Sequence, residues 1–121
     1  MKHDAFVDVD SLLTAIDGDN PAGIDIRQDH SPLSIYYQMK SARGAATTAE
    51  RKSDAGESAD PSTEWRNVLT LGAEALSQQT KDLEVAAWMI EALVRFSGFA
   101  GLRDGFALAR GLVERFWDHL Y

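Results

Sequence analysis

Asp25, Asp29 and His30 stand within six residues of one another, and of all the side chains in this sequence they are the ones best placed to do chemistry. Three oxygen or nitrogen donors so close together could contribute to a divalent metal site. A catalytic centre would also need a further ligand, or an open position held by supporting groups. Neither the His-Glu-x-x-His pattern nor the spacing of a calcium loop is present. The plainer expectation is that Asp29 and His30 lie in a solvated turn ahead of a helix, where an acid complements the helix dipole. A small metal-dependent enzyme, or a ligand-binding helical domain, using Asp25, Asp29 and His30 is thus the rival reading. His3 and His119 are far apart and no serine sits in a nucleophile elbow, so a hydrolase triad has no support. The absence of cysteine excludes disulfides, thiolate zinc sites, iron–sulfur clusters and cysteine nucleophiles.

The stretch Gly98-Phe99-Ala100-Gly101-Leu102-Arg103-Asp104-Gly105 raises the question of a phosphate cradle. Its spacing matches neither a dinucleotide fingerprint nor a P-loop, and it follows a helical pattern rather than a strand. Gly98 is expected to end a helix in a left-handed conformation, with Gly101 and Gly105 letting two helices approach as a tight antiparallel pair. Asp25 and Arg27 read as a charge pair that pins an extended loop, Arg27 bridging to a carboxylate such as Asp82 or Asp104. Lys40, Arg43, Arg51 and Lys52 make a basic patch in an acidic molecule. The expectation is a solvated helix face, with a docking surface for an acidic partner as the sharper alternative. Trp65, Trp88 and Trp117 each lie on an apolar helical stripe and read as core. Trp88 sits off the main face of its helix, which makes it a candidate partner-binding residue beside Lys40 and Arg43.

The elements that would position these residues are helical. Val9, Leu12, Leu13 and Ile16 keep helical spacing behind Asp8 and Asp10, before Gly18-Asp19-Asn20-Pro21 breaks the pattern. An extended loop follows from Pro21 to Arg27. Ser31 with Pro32 signals the start of a second helix, whose apolar face is Leu33, Tyr36, Tyr37 and Met39 and which runs to about Lys52. Residues 53–60 are small and polar and read as a mobile surface connection. Asp60-Pro61 opens a third helix with Trp65, Val68, Leu69, Gly72 and Leu76 on one face. Asp82 caps a fourth, with Leu83, Ala86, Ala87, Ile90 and Val94 at the same spacing. A fifth starts near Leu102 and carries Phe106, Ala109, Val113, Phe116 and Leu120. No strand signal competes. The expected fold is all-α, a bundle of about five helices with an extended N-terminal loop segment.

With 121 residues the chain fits one compact domain, divided here into an acidic arm (1–30) and a helical body (31–121). The arm holds seven Asp against Lys2 and Arg27, which accounts for most of the formal net charge of −7. An acidic chain of pI about 4.8 argues against a nucleic-acid partner, because phosphate neutralisation needs clustered Lys and Arg. The longest apolar run, Val85 to Ile90, is far short of the roughly 20 residues of a membrane span. Met1-Lys2-His3-Asp4 does not open a secretory signal, so a cytoplasmic location without membrane insertion is expected. The chain stops on large side chains without a C-cap glycine, from which a fragment of a longer polypeptide is expected.

Taken together, several blocks form a specific pattern. They are Pro21-x-Gly23-x-Asp25-x-Arg27; Ser31-Pro32-Leu33 with Tyr37, Lys40, Ala42-Arg43 and Glu50-Arg51; and Trp65 with Val68. Further along come Lys81-Asp82-Leu83-Glu84-Val85-Ala86-Ala87-Trp88, Glu91-Ala92-Leu93 and Gly98-Phe99-x-Gly101-Leu102-Arg103-Asp104-Gly105. Leu112, Glu114, Phe116-Trp117 and Leu120-Tyr121 complete the pattern. From Pro21 to Tyr121 the chain resembles the N-terminal ImpA-type domain of TssA-like proteins of the bacterial type VI secretion system. The resemblance implies a non-enzymatic, cofactor-free adaptor in assembly of the contractile apparatus, with partners in the baseplate, tube or sheath. It also implies homo-oligomerisation of the full-length protein through regions beyond residue 121. Pro21, Gly23, Asp25, Arg27, Asp82, Gly98, Gly101, Gly105 and Trp117 are the motif residues expected to have structural roles.

Overall fold

The computed structural model describes residues 7–121. Expectations about the first six residues, His3 among them, lie outside that range. The described residues form four α-helices: α1 (Val9–Leu12), α2 (Ile35–Asp54), α3 (Ser62–Gln78) and α4 (Leu83–Phe116). A 3-10 turn, Ile26–Gln28, stands between α1 and α2. Among the described residues there is no strand, only an isolated antiparallel bridge between Gly23 and Thr80. The all-α class is as expected; the count of helices differs from five for one local reason.

That reason is Gly98. Inside α4 its backbone takes φ 54° and ψ −128°, outside the helical region. The positive φ was expected, but the ψ does not belong to the left-handed helical well. A Cβ on Gly101 would lie 2.0 Å from the Leu93 carbonyl oxygen, and one on Gly105 would lie 2.5 Å from the Ile90 side chain. Along a straight helix residues eight and fifteen apart are separated by about 12 and 22 Å. The chain therefore folds back at Gly98. Two arms, 83–97 and 99–116, pack antiparallel through a seam of small residues, so α4 contains both of the last two expected helices.

Helix starts follow local hydrogen bonding. The Asp82 side chain accepts from the backbone N–H groups of Glu84 (2.8 Å) and Val85 (3.3 Å), capping α4 as its position predicts. Asp60 accepts from the Ser62 N–H at 3.0 Å and opens α3. At α2 the cap is Ser34, not Ser31, with its hydroxyl accepting from Tyr37 N–H at 3.4 Å. Ser31, Pro32 and Leu33 make a turn closed by Ser34 N–H donating to Ser31 C=O at 3.0 Å. Proline suits the second position of such a turn as well as it suits a helix start. α2 runs on to Asp54 and ends through Gly56, where φ is 86°.

The core draws on every element, including the acidic arm: Val7, Leu12, Leu13, Ala22 and Ile26 belong to the same apolar cluster as α2, α3 and α4. On α3 the buried residues include all five expected ones. On α2 the buried face is Ile35, Met39, Ala42 and Ala46, while Leu33 is exposed. On α4 the phase differs from expectation in both arms. Val85, Met89, Ala92 and Leu93 are buried where Leu83 and Val94 had been expected. In the second arm Phe116 is buried and Gly101 and Gly105 close on the first arm, both as expected, whereas Leu108 and Leu112 are buried and Phe106 and Val113 face outward. α4 is long and apolar enough to pass for a membrane span by length and composition. Its fold-back leaves arms of 15 and 18 residues, each short of the roughly 20 a bilayer requires.

Candidate interaction surface

The loop from Pro21 to Arg27 and the α3–α4 junction are one structure. Ile24 N–H donates to Gln79 C=O (3.0 Å) and Lys81 N–H to Ala22 C=O (2.7 Å), so residues 22–24 lie beside 79–81. Gly23 has φ 74°, and a Cβ there would meet the Gln79 carbonyl oxygen at 2.0 Å, which is why the position takes glycine. Arg27 then reaches the wholly buried Asp82, Nη1 to Oδ2 at 2.8 Å, with Asp25 Oδ1 3.3 Å from its Nε. The pinning role expected for Arg27 is present, and Asp82 rather than Asp104 is its partner. The C-terminal residues close the same junction. Tyr121 N–H donates to Lys81 C=O (3.0 Å), Leu83 N–H donates to Tyr121 C=O (2.8 Å), and the Tyr121 hydroxyl donates to Gly23 C=O (3.1 Å).

Two further groups lie in blocks of the family pattern, through Lys81 and Glu50, but carried no expectation of a site role. Lys81 is wholly buried, its Nζ donating to the carbonyls of Leu12 (2.7 Å) and Leu76 and lying 5.3 Å from the centre of the Phe116 ring. Burial pushes its pKa down to about 8. Glu50 of α2 accepts from the Trp65 indole of α3 (2.7 Å) and from Arg95 of α4 through Nε (2.7 Å) and Nη2 (2.9 Å). The Arg95 hydrogen bond is the main force holding this carboxyl below its usual range; burial opposes it, and the Trp65 bond adds to it. The Arg95 guanidinium also covers the Trp65 ring at 4.2 Å. The nearest sequence hint was Glu50-Arg51 within the family pattern, which says nothing about Arg95.

The metal-ligand set is not assembled. Asp29 Oδ1 accepts from Ser31 N–H at 3.0 Å and Asp25 Oδ1 accepts from Arg27 N–H at 3.1 Å, so both acids cap local turns. Among the described residues no three His, Cys, Asp or Glu side chains are grouped to hold a metal. The expected partner-facing residues fare unevenly. Lys40 is exposed, whereas Arg43 Nε is bound to Glu91 Oε1 at 2.9 Å. Trp88 is only 8% exposed and its ring lies 5.5 Å from that of Tyr36, so it is a core residue, not a surface anchor.

Leu33 and Ile24 are exposed singly on the N-terminal loop segments, and a row of apolar side chains faces solvent along the last part of α4. Phe99 is 91% exposed, Phe106 60% and Trp117 71%, and Val113 is exposed with them. Trp117, expected in the core, is the outward member of the three tryptophans. These side chains share one flank of the second arm because residues seven apart on a helix differ by only about 20°. The seam of small residues on the opposite flank packs into the body. A row of large apolar side chains left facing solvent is a candidate contact surface.

The family profile described as ImpA, N-terminal, type VI secretion system, matches residues 13–121. The chain belongs to that family. The type VI secretion system component TssA1 of Pseudomonas aeruginosa is 36% identical over 116 residues, an alignment covering 95% of this chain and 31% of that protein. The solved N-terminal domain including the conserved ImpA_N region of the TssA component from Burkholderia cenocepacia is 32% identical, with a TM-score of 0.67. That match covers 98% of this chain and 40% of the solved one, so the chain spans less than half the length of either relative.

Proposed function

We propose that this chain is a non-enzymatic, protein-binding adaptor domain in assembly of the type VI secretion apparatus. It works in the cytoplasm on components of the baseplate, tube or sheath. The observation that carries the reading is the outward row Phe99, Phe106, Val113 and Trp117, exposed on a helix whose other flank is already packed. Family membership supports the apparatus as the setting. Asp25 and Asp29, which a catalytic reading would use, cap local turns, and His30 is exposed, which favours binding over turnover. Presented in several copies by an oligomer built elsewhere in the protein, modest contacts would add up to stable attachment. Lys40 offers a second, basic contact point on α2. Biolayer interferometry of the immobilised chain against purified baseplate, tube and sheath components tests this: saturable binding of at least one is expected, and no binding by any of them overturns the reading.

A further inference from the structure

The outer face of the second α4 arm has a pattern as well as an apolar character. Phe99, Phe106 and Val113 recur every seven residues, and Leu102 and Ala109 fall three positions after the first two, which is the a/d spacing of a helix that seats a second helix. Four residues after Phe99 and Phe106 come Arg103 and Arg110, about 40° round the helix on one edge of the row. Their side chains are 68% and 80% exposed. Among the described residues each pairs with a local carboxylate: Asp104 at 3.7 Å for Arg103, and Glu114 at 2.8 Å for Arg110. Exposed pairs of this kind contribute about 0–1 kcal/mol and exchange readily for a better partner. On the same edge Phe106, Arg103, Arg110 and Glu114 border a shallow groove of about 440 Å³ whose far wall is Val9, Asp10 and Leu13 at α1.

Pairing of this helix with the same helix of a second copy is disfavoured. An antiparallel pairing through the row would set the Arg103 and Arg110 edge against the same edge of its mate, like charge against like. A parallel pairing would need the flank of Gly105 and Leu112, which is buried against the body. What fits is a helix of a different protein with apolar residues at three-and-four spacing and carboxylates along one edge. We propose that the outer face of the second α4 arm docks such an acidic amphipathic helix. Phe99 and Phe106 are its apolar anchors, and Arg103 and Arg110 set its orientation. The proposal rests on the protein-binding reading above and adds where the partner binds and what chemistry it presents.

The test is site-specific photo-cross-linking in the native host, with Phe99, Phe106 or Lys40 of the whole protein replaced in turn by p-benzoyl-phenylalanine. Cross-linked peptides are identified by mass spectrometry. The expected result is adducts from positions 99 and 106 on an acidic amphipathic segment of another protein. Their yield should fall at least about tenfold when Arg103→Glu and Arg110→Glu are combined, with helicity by circular dichroism unchanged. Adducts on a second copy, on lipid or on a basic segment overturn the proposal, as does a yield indifferent to the charge reversals. Adducts from position 40 alone remove this face but leave the adaptor reading standing. No adduct from any of the three positions removes both.

Discussion

At the scale of single residues, the loop–junction contact turns on a buried carboxylate and its cation. Asp82 is wholly buried, caps α4 with one oxygen and meets Arg27 with the other. Removing Arg27 leaves that charge without its cation in a low-dielectric setting, whereas Asp25 is partly solvated, flanks the pair and caps a local turn. Arg27→Ala is therefore expected to cost about 2–4 kcal/mol in urea unfolding and Asp25→Ala under about 1 kcal/mol, since Arg27 itself is partly screened by solvent. Equal effects would contradict the arrangement. Lys81 makes a prediction in pH. Its folded-state pKa of about 8 lies below the ordinary 10.5, so between those values the unfolded chain binds more protons than the folded one. Stability contributed by this group is flat below pH 8 and rises as pH climbs from 8 towards 10.5. Thermal unfolding of Lys81→Met should lack that rise. That Arg27 bridges to a carboxylate was legible from an arginine on an apolar-charged loop, but the sequence left Asp82 and Asp104 both open, and only the packing of the loop on the α3–α4 junction selects Asp82. Lys81 was not legible, because a lysine beside a capping acid reads as a surface cation unless the loop that covers it is known.

At the scale of elements, glycine divides into positions that must lack a side chain and positions that merely do. Gly101 faces the Leu93 carbonyl across the fold-back, with no room for a methyl group, while Gly44 in the middle of α2 has nothing within 4 Å of a built Cβ. Gly101→Ala is expected to lower stability by about 1–3 kcal/mol through forced separation of the arms. Gly44→Ala should raise it by about 0.5–1 kcal/mol through reduced chain entropy in the unfolded state. Thermal melts of the two variants shifting in the same direction would contradict the packing described. Glu50 ties α2 to α3 and α4, and its depressed carboxyl pKa means that its contribution is present above the ordinary carboxylate range and fades as pH falls through the lowered value. The acid limb of the stability profile should flatten in Glu50→Gln. The existence of every helix was legible from apolar spacing and capping residues, including Asp82 at α4. The phase of α4 was not. A helix apolar around much of its circumference offers several stripes, and counting large side chains selects the outward one when the inward seam includes Gly101 against the Leu93 carbonyl and Gly105 against the Ile90 side chain.

At the scale of the whole molecule, that inverted phase is the functional clue. Periodicity assigned Phe106 and Val113 to the core, and the structure turns them outward beside Phe99 and Trp117 because the arms need small residues to close on each other. The resemblance pointed to an adaptor, while the candidate contacts read from charge and tryptophan placement drew on Arg43, which is bound to Glu91, and on Trp88, which is packed against Tyr36. Only three-dimensional packing separates a large apolar residue that holds the bundle together from one left available to another protein. The most direct measurement of the central claim is fluorescent sheath assembly in the native host whose protein carries Phe99→Ser with Phe106→Ser. Loss of sheath structures at unchanged abundance of the variant protein is the predicted result. Sheath assembly at wild-type frequency would contradict the assignment of this face as the working surface.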